Sequence, residues 1–119
     1  MRAVIRSLIT PDAPSLEEYE PEDGEDFCLF VQVLAGPACS EGEESFNVQV
    51  VTPKFLAARV EREGPVVGRH LLVVNSYDAA QIRSWLERAV GRCSGNDWNE
   101  VAEKLSRIGY WEFEDYREA

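Results

Sequence analysis

The hydrophobic pattern changes period along the chain, and the changes mark out the elements. Arg2 to Ile9 (RAVIRSLI) is apolar and β-branched and predicts a first strand. Phe27 to Ala35 (FCLFVQVLA) is apolar at odd and even positions alike, which suits a strand covered on both faces or a central one. Glu44 to Val50 alternates instead. Phe46, Val48 and Val50 share one face; Ser45, Asn47 and Gln49 share the other, as in a half-solvated antiparallel strand. The connection between them is short enough for a hairpin. Val66 to Val74 (VVGRHLLVV) predicts a fourth strand, with Gly68 marking a bulge or a close approach.

Between and after these runs the period becomes helical. Thr52-Pro53 reads as an N-cap followed by proline at the first helical position, and Gly64-Pro65 stops that helix. Asp78 with Gln81, and Asp97 with Glu100, make two capping boxes. Helices are predicted over 53–61, 78–91 and 97–108. Trp85, Leu86, Val101 and Leu105 fall on apolar stripes and are expected in the core, as is Trp98. The acidic stretch before Phe27 reads as a long loop broken by Pro11, Pro14, Pro21 and Gly24. The tail from Tyr110 alternates aromatic and acidic residues and suits a last short strand or an ordered extension. These elements predict a single α+β domain over residues 1–119. It has a mainly antiparallel sheet of about four strands and about three helices, two of them packed on one face.

Composition narrows the function. At 119 residues and 45% hydrophobic, the chain can enclose a core. Met1 to Arg6 is not followed by an apolar segment of signal-peptide length, and nothing is long enough to span a membrane, so the cytoplasm is the expected compartment. Cys28, Cys39 and Cys93 are odd in number and unpaired in spacing, which predicts reduced packing residues. A net charge of −10 opposes binding to nucleic acid and to anionic lipid, and favours a basic protein partner.

The charge is unevenly placed. Residues 12–26 carry eight acids and no base, Glu41, Glu43 and Glu44 form a second cluster, and Glu112, Glu114, Asp115 and Glu118 a third. Residues 45–110 carry seven acids and nine bases, a balance of +2. A chain that needed only solubility could spread its charge at lower self-repulsion.

The residues of catalysis are sparse. His70 is the one histidine, no serine lies in a nucleophile elbow, and the cysteines give no zinc spacing. A calcium loop centred on Gly24 would need ligands at Tyr19 and Pro21 and a glutamate at position 30, where Phe30 stands. No catalytic residue, metal or cofactor is predicted. Aromatics set among acids are a better lead, because such mixtures make protein-binding hot spots. The predicted partner surface is therefore Glu17, Glu18, Tyr19, Glu20, Glu22, Asp23, Glu43 and Glu44, with Glu112, Glu114 and Asp115 as a second choice. If the acids are only solvated connections, the exposed sheet face around Ser45, Asn47 and Gln49 takes that role. Two alternatives stand beside this reading: an acidic DNA mimic or adaptor that binds basic host proteins, and a small enzyme using carboxylates and His70.

Several motifs in chain order resemble the immunity protein 8 family. They are Arg2-Ala3-Val4-Ile5-Arg6-Ser7-Leu8, Leu16-Glu17-Glu18-Tyr19, Pro21-Glu22-Asp23, Gly42-Glu43-Glu44-Ser45-Phe46 and Val51-Thr52-Pro53-Lys54-Phe55-Leu56. Gly68-Arg69-His70-Leu71-Leu72-Val73, the run from Trp98 to Gly109 and the closing Trp111-Glu112-Phe113-Glu114-Asp115-Tyr116 complete the set. The resemblance implies a protein encoded beside a polymorphic bacterial toxin, which binds that toxin in the producing cell and blocks it. It implies a cognate protein toxin as partner, such as a basic nuclease-type domain, and carries no set of contact residues with it.

Overall fold

The computed structural model describes residues 1–113. Its elements are β1 (Ala3–Ile9), β2 (Cys28–Pro37), β3 (Glu44–Val51), α1 (Pro53–Glu63), β4 (Leu71–Val73), α2 (Ala79–Gly91), α3 (Trp98–Leu105) and β5 (Tyr110–Trp111). The expected α+β class holds, with five strands. β1, β2 and β3 form an antiparallel meander with β2 central. β4 then joins the far edge of β3 in parallel, because a helical crossover, α1, separates the two. β5 pairs with the other half of that edge, antiparallel, setting Trp111 opposite Phe46 and Tyr110 opposite Asn47.

All three helix starts are built as their residues predict. The side chains of Thr52, Asp78 and Asp97 accept from the backbone N–H of Phe55, Gln81 and Glu100. α2 and α3 cover one face of the sheet. Under them Leu29, Val31 and Val33 meet Phe46, Val48 and Val50, along with Ile82, Leu86, Val90, Val101 and Leu105, all at most 2% exposed. α1 buries none of its own residues. Val51, which the register turns away from that core, is nonetheless buried, and Arg59 of α1 lies close enough to Cys28 to oppose the upward push of burial on its thiol. α1 therefore belongs to the opposite face, at its Cys28–Val51 end.

Two glycines permit close approaches. A Cβ on Gly36 would stand 1.9 Å from the Gly42 carbonyl oxygen inside the β2–β3 hairpin. A Cβ on Gly109 would stand 2.9 Å from the Phe46 backbone where β5 turns in against β3.

Three expectations need correction. The fourth strand is Leu71–Val73, not Val66–Val74: His70 has φ 64°, and Val67 is 83% exposed. A left-handed residue interrupts the extended backbone, so the ladder reaches back no further than the bond that the His70 carbonyl accepts from Gln49 N. Trp85 is 41% exposed, not core. The buried line on α2 is Ile82, Leu86 and Val90 at four-residue spacing, and Trp85 lies one step off it. Cys93 is buried and Cys28 half-buried, but Cys39 is exposed on the hairpin, so it is not a packing residue.

Candidate protein-binding surface

Among the described residues, the face of the sheet opposite α2 and α3 is left open over much of its width. Here the register brings Phe30 opposite Gln49, Gln32 opposite Asn47, and Ile9 opposite Gln32. Phe30 is 53% exposed, Tyr110 47% and Ile9 46%. They line a shallow groove of about 620 Å³ together with Gln32, Asn47 and Gln49. Three large apolar bodies around a band of amides, with hydrogen-bonding groups of their own, have the composition that a protein interface uses.

One end of that band is internally bonded. Gln32 Nε2 donates to Ser45 Oγ at 2.9 Å, and Ser45 Oγ donates to Asn47 Oδ1 at 3.3 Å. The Ser45 backbone N–H donates to the Glu112 carboxylate at 3.3 Å. Ser45 is consequently buried, while Asn47 stays exposed.

His70 closes the side of the groove and holds it together. Its carbonyl accepts from Gln49 N at 3.0 Å, and its ring Nε2–H donates to the Ser106 carbonyl at 2.8 Å. The ring meets Tyr110 edge-on with centroids 5.9 Å apart. His70 thus splices β4 and β5 onto one edge of β3. With one ring nitrogen committed to a carbonyl, it is placed as a structural joint. Among the described residues no group of three or more His, Cys, Asp or Glu is arranged to hold a metal ion, and no helix is long and apolar enough to cross a membrane.

The acidic residues singled out from the sequence are not gathered at one place. The segment 10–27 joins β1 to β2 at one end of the sheet; the hairpin with Glu43 and Glu44 lies at the other, with Glu112 beside Ser45. The length of β3 separates these poles, about 23 Å at ordinary strand rise.

Nor are the acids alike in their surroundings. Glu17 takes Arg83 in a bidentate pair at 2.8 and 3.1 Å, and this hydrogen bonding holds its carboxyl below the usual range. Asp23 accepts from the Glu25 N–H and meets Lys54 at 3.4 Å; the backbone bond first, then the lysine, lowers its carboxyl too. Glu44 accepts from the Trp111 indole N–H at 2.8 Å. Glu18 accepts from the Ser15 hydroxyl. Glu20, Glu22 and Glu43 are exposed and form no ion pair among the described residues. Glu114 and Asp115 lie outside the described residues.

The acidic connection is more than solvated chain. Leu16 is fully buried, and Tyr19 packs edge-on against Tyr77 at 5.1 Å, with Phe27 edge-on to the same ring at 5.2 Å. The Tyr77 hydroxyl donates to the Leu16 carbonyl, and burial pushes its phenol up to about 12. Tyr19 is therefore half-buried in an aromatic cluster that pins the acidic loop to the core. Phe30, Ile9 and Tyr110 are what the sequence reading missed. The signal was present: β2 carries a large apolar residue on the face that β3 marks as polar.

Neither a curated protein nor a solved structure matches this chain. A family model does. The immunity protein 8 model matches residues 3–116, nearly the whole chain, and so takes in every strand and helix described above. The chain belongs to the immunity protein 8 family.

Proposed function

We propose that this protein is the immunity partner of a bacterial polymorphic toxin, and that it acts by binding the toxin domain in the cytoplasm of the producing cell rather than by catalysis. The family match carries this reading. The open sheet face supplies a means: a half-exposed Phe30 flanked by Ile9 and Tyr110, with Gln32, Asn47 and Gln49 to pair polar groups of the partner. Large aromatics at the centre of an interface govern how slowly a complex dissociates. The acidic poles, Glu17 to Asp23 at one end and Glu43, Glu44 and Glu112 at the other, complement a basic toxin such as a nuclease and speed encounter.

The test is co-expression with the toxin domain encoded beside it. The native chain should restore growth and co-purify with the toxin, and Phe30→Asp should do neither while remaining folded. Full protection by Phe30→Asp would remove the open face from the interface. Absence of any complex with the native chain would overturn the immunity reading itself.

A further inference from the structure

The two edges of the sheet are treated differently. β1 is guarded: its register shifts between Ile5 and Ser7, and its start is met by the segment around Ser94, with Ala3 N donating to the Cys93 carbonyl at 3.1 Å. A bulge and a covered end are common ways to keep an edge from pairing with strangers. β4 has neither. Gln49 N donates to the His70 carbonyl and Val74 N donates to the Val51 carbonyl, so residues 70, 72 and 74 turn their backbone groups towards β3. Leu71 and Val73 turn theirs outward, and among the described residues nothing bonds to them there. Val73 is 50% exposed.

The surface beside this edge is unlike the rest of the chain. A cleft of about 500 Å³ lies between β4 and α2, lined by Val73, Asn75, Asp78, Gln81, Trp85 and Arg88 among others; its one carboxylate, Asp78, accepts from the Gln81 N–H as the cap of α2. It continues along α2 into a smaller hollow formed by Trp85, Arg88, Ala89 and Arg92. Trp85, Arg88 and Arg92 stand at i, i+3 and i+7, on one flank of the helix. All three are exposed, and neither arginine forms an ion pair among the described residues. Glu87, the acid between them in sequence, faces the other way, into a hollow beside β1. In a chain of net charge −10, this flank presents an exposed indole and two guanidinium groups that form no ion pair among the described residues.

We propose that the outer edge of β4 is a second docking site, one that takes an extended acidic segment of a partner protein. The segment adds to the sheet as a strand on the outward N–H and C=O groups of Leu71 and Val73. It rests an apolar side chain on Trp85 and sets carboxylates against Arg88 and Arg92. Main-chain pairing supplies affinity in this mode and the flanking side chains select the sequence. Arginine favours carboxylates because its fork can engage both oxygens at once. A second copy of this chain fits the edge less well. A two-fold pairing of β4 with β4 brings both basic flanks into one interface, where like charges oppose each other. The site stands apart from the groove around Phe30 and does not rest on the assignment of that groove to a toxin.

The experiment uses the full chain and a labelled peptide that alternates glutamate with valine, against the same peptide with lysine for glutamate. The acidic peptide should bind, and the amides of Leu71 and Val73 should become protected from hydrogen exchange. Arg88→Glu with Arg92→Glu should weaken binding at least about tenfold. So should Val73→Pro, which removes an N–H that takes no part in the β3 ladder, and whose intact fold is checked by near-ultraviolet circular dichroism. Equal binding of both peptides, protection confined to the residues around Phe30, a dimer formed through β4, or no binding at millimolar peptide would each overturn the proposal.

Discussion

The two faces of one sheet are built from alternate residues of the same strands, and they have opposite fates. On one face Leu29, Val31 and Val33 of β2 are sealed under α2 and α3. On the other, Phe30 and Gln32 look outward beside Asn47 and Gln49. β3 is written for that difference, valine and phenylalanine inward, amides outward. β2 is not, because its outward positions include Phe30. A large aromatic left half-exposed on a face that its neighbour treats as polar gains little for stability; with Ile9 and Tyr110 beside it, it is part of the patch that the proposed toxin would cover. The covered face should respond to truncation in stability, and the open face in binding.

The largest expected effect lies on the covered face. Leu105 is 1% exposed, within the α3 stripe, and Leu105→Ala should cost about 2–5 kcal/mol in urea unfolding by loss of burial and creation of a cavity. A cost under about 0.5 kcal/mol would show that α3 does not seal this face. Phe30→Ala supplies the opposite half of the comparison. It should change stability by less than about 1 kcal/mol, because half of the ring is already in water. Yet it should weaken toxin binding by about 2 kcal/mol, or roughly thirtyfold, if Phe30 is an anchor. Calorimetric titration reads both the affinity and any loss of folded protein. An Ala variant that unfolds readily and binds normally would erase the distinction between the faces.

A third prediction concerns the corner where the acidic loop meets the core. The Tyr77 phenol is pushed up to about 12, first by burial and then by Glu17 and Tyr19. Its usual value is near 10, so above about pH 10 the unfolded chain gives up this proton before the folded one does. Stability from this group is complete below pH 10 and is lost as the pH rises towards 12. Tyr77→Phe removes that loss. It also removes the bond to the Leu16 carbonyl, at about 1 kcal/mol near neutrality. The native chain's advantage over Tyr77→Phe should therefore shrink above about pH 10 and reverse before about pH 12; a constant gap would mean that the phenol is freely solvated.

Most of the frame was legible in the residues because local rules decide it. Thr52, Asp78 and Asp97 cap helices by hydrogen bonds that reach only three residues, and β3 shows its two faces by strict alternation. What was not legible depends on contacts distant in sequence. Val66 to Arg69 opens a run of strand composition but lies outside every strand described, since β3 shares that edge between β4 and β5 and the left-handed His70 breaks the extended run. Trp85 satisfies helical spacing as well as Leu86 does; the difference is the rotation of α2 on the sheet, which no local pattern records. The acidic segments look like one charged surface when read along the chain and become two poles only once β3 stands between them. Tyr19 suggests an anchor for a partner because it is an aromatic among acids. Its ring is also engaged by Tyr77, 58 positions further on in the chain.

The smallest effect belongs to the acids themselves, and their surroundings decide which to change. Glu17 and Asp23 hold Arg83 and Lys54, so altering them disturbs the loop as well as the field around it. Glu18, Glu20 and Glu22 are exposed, and none is paired with a base among the described residues. Replacing all three with glutamine removes three negative charges from one pole and leaves the Leu16–Tyr19–Tyr77 packing in place. Exposed charges at the rim act mainly on encounter, over distances set by salt. The triple variant should associate with a basic toxin several-fold more slowly at low ionic strength, with a flatter dependence of on-rate on salt and a nearly unchanged dissociation rate. Changing Glu43, the exposed acid of the opposite pole about 23 Å away, separates the two ends of the sheet as guides. If only the hairpin pole slows association, the toxin approaches from that end. If neither does, the acids are solvated connections and the open face around Phe30 works without steering.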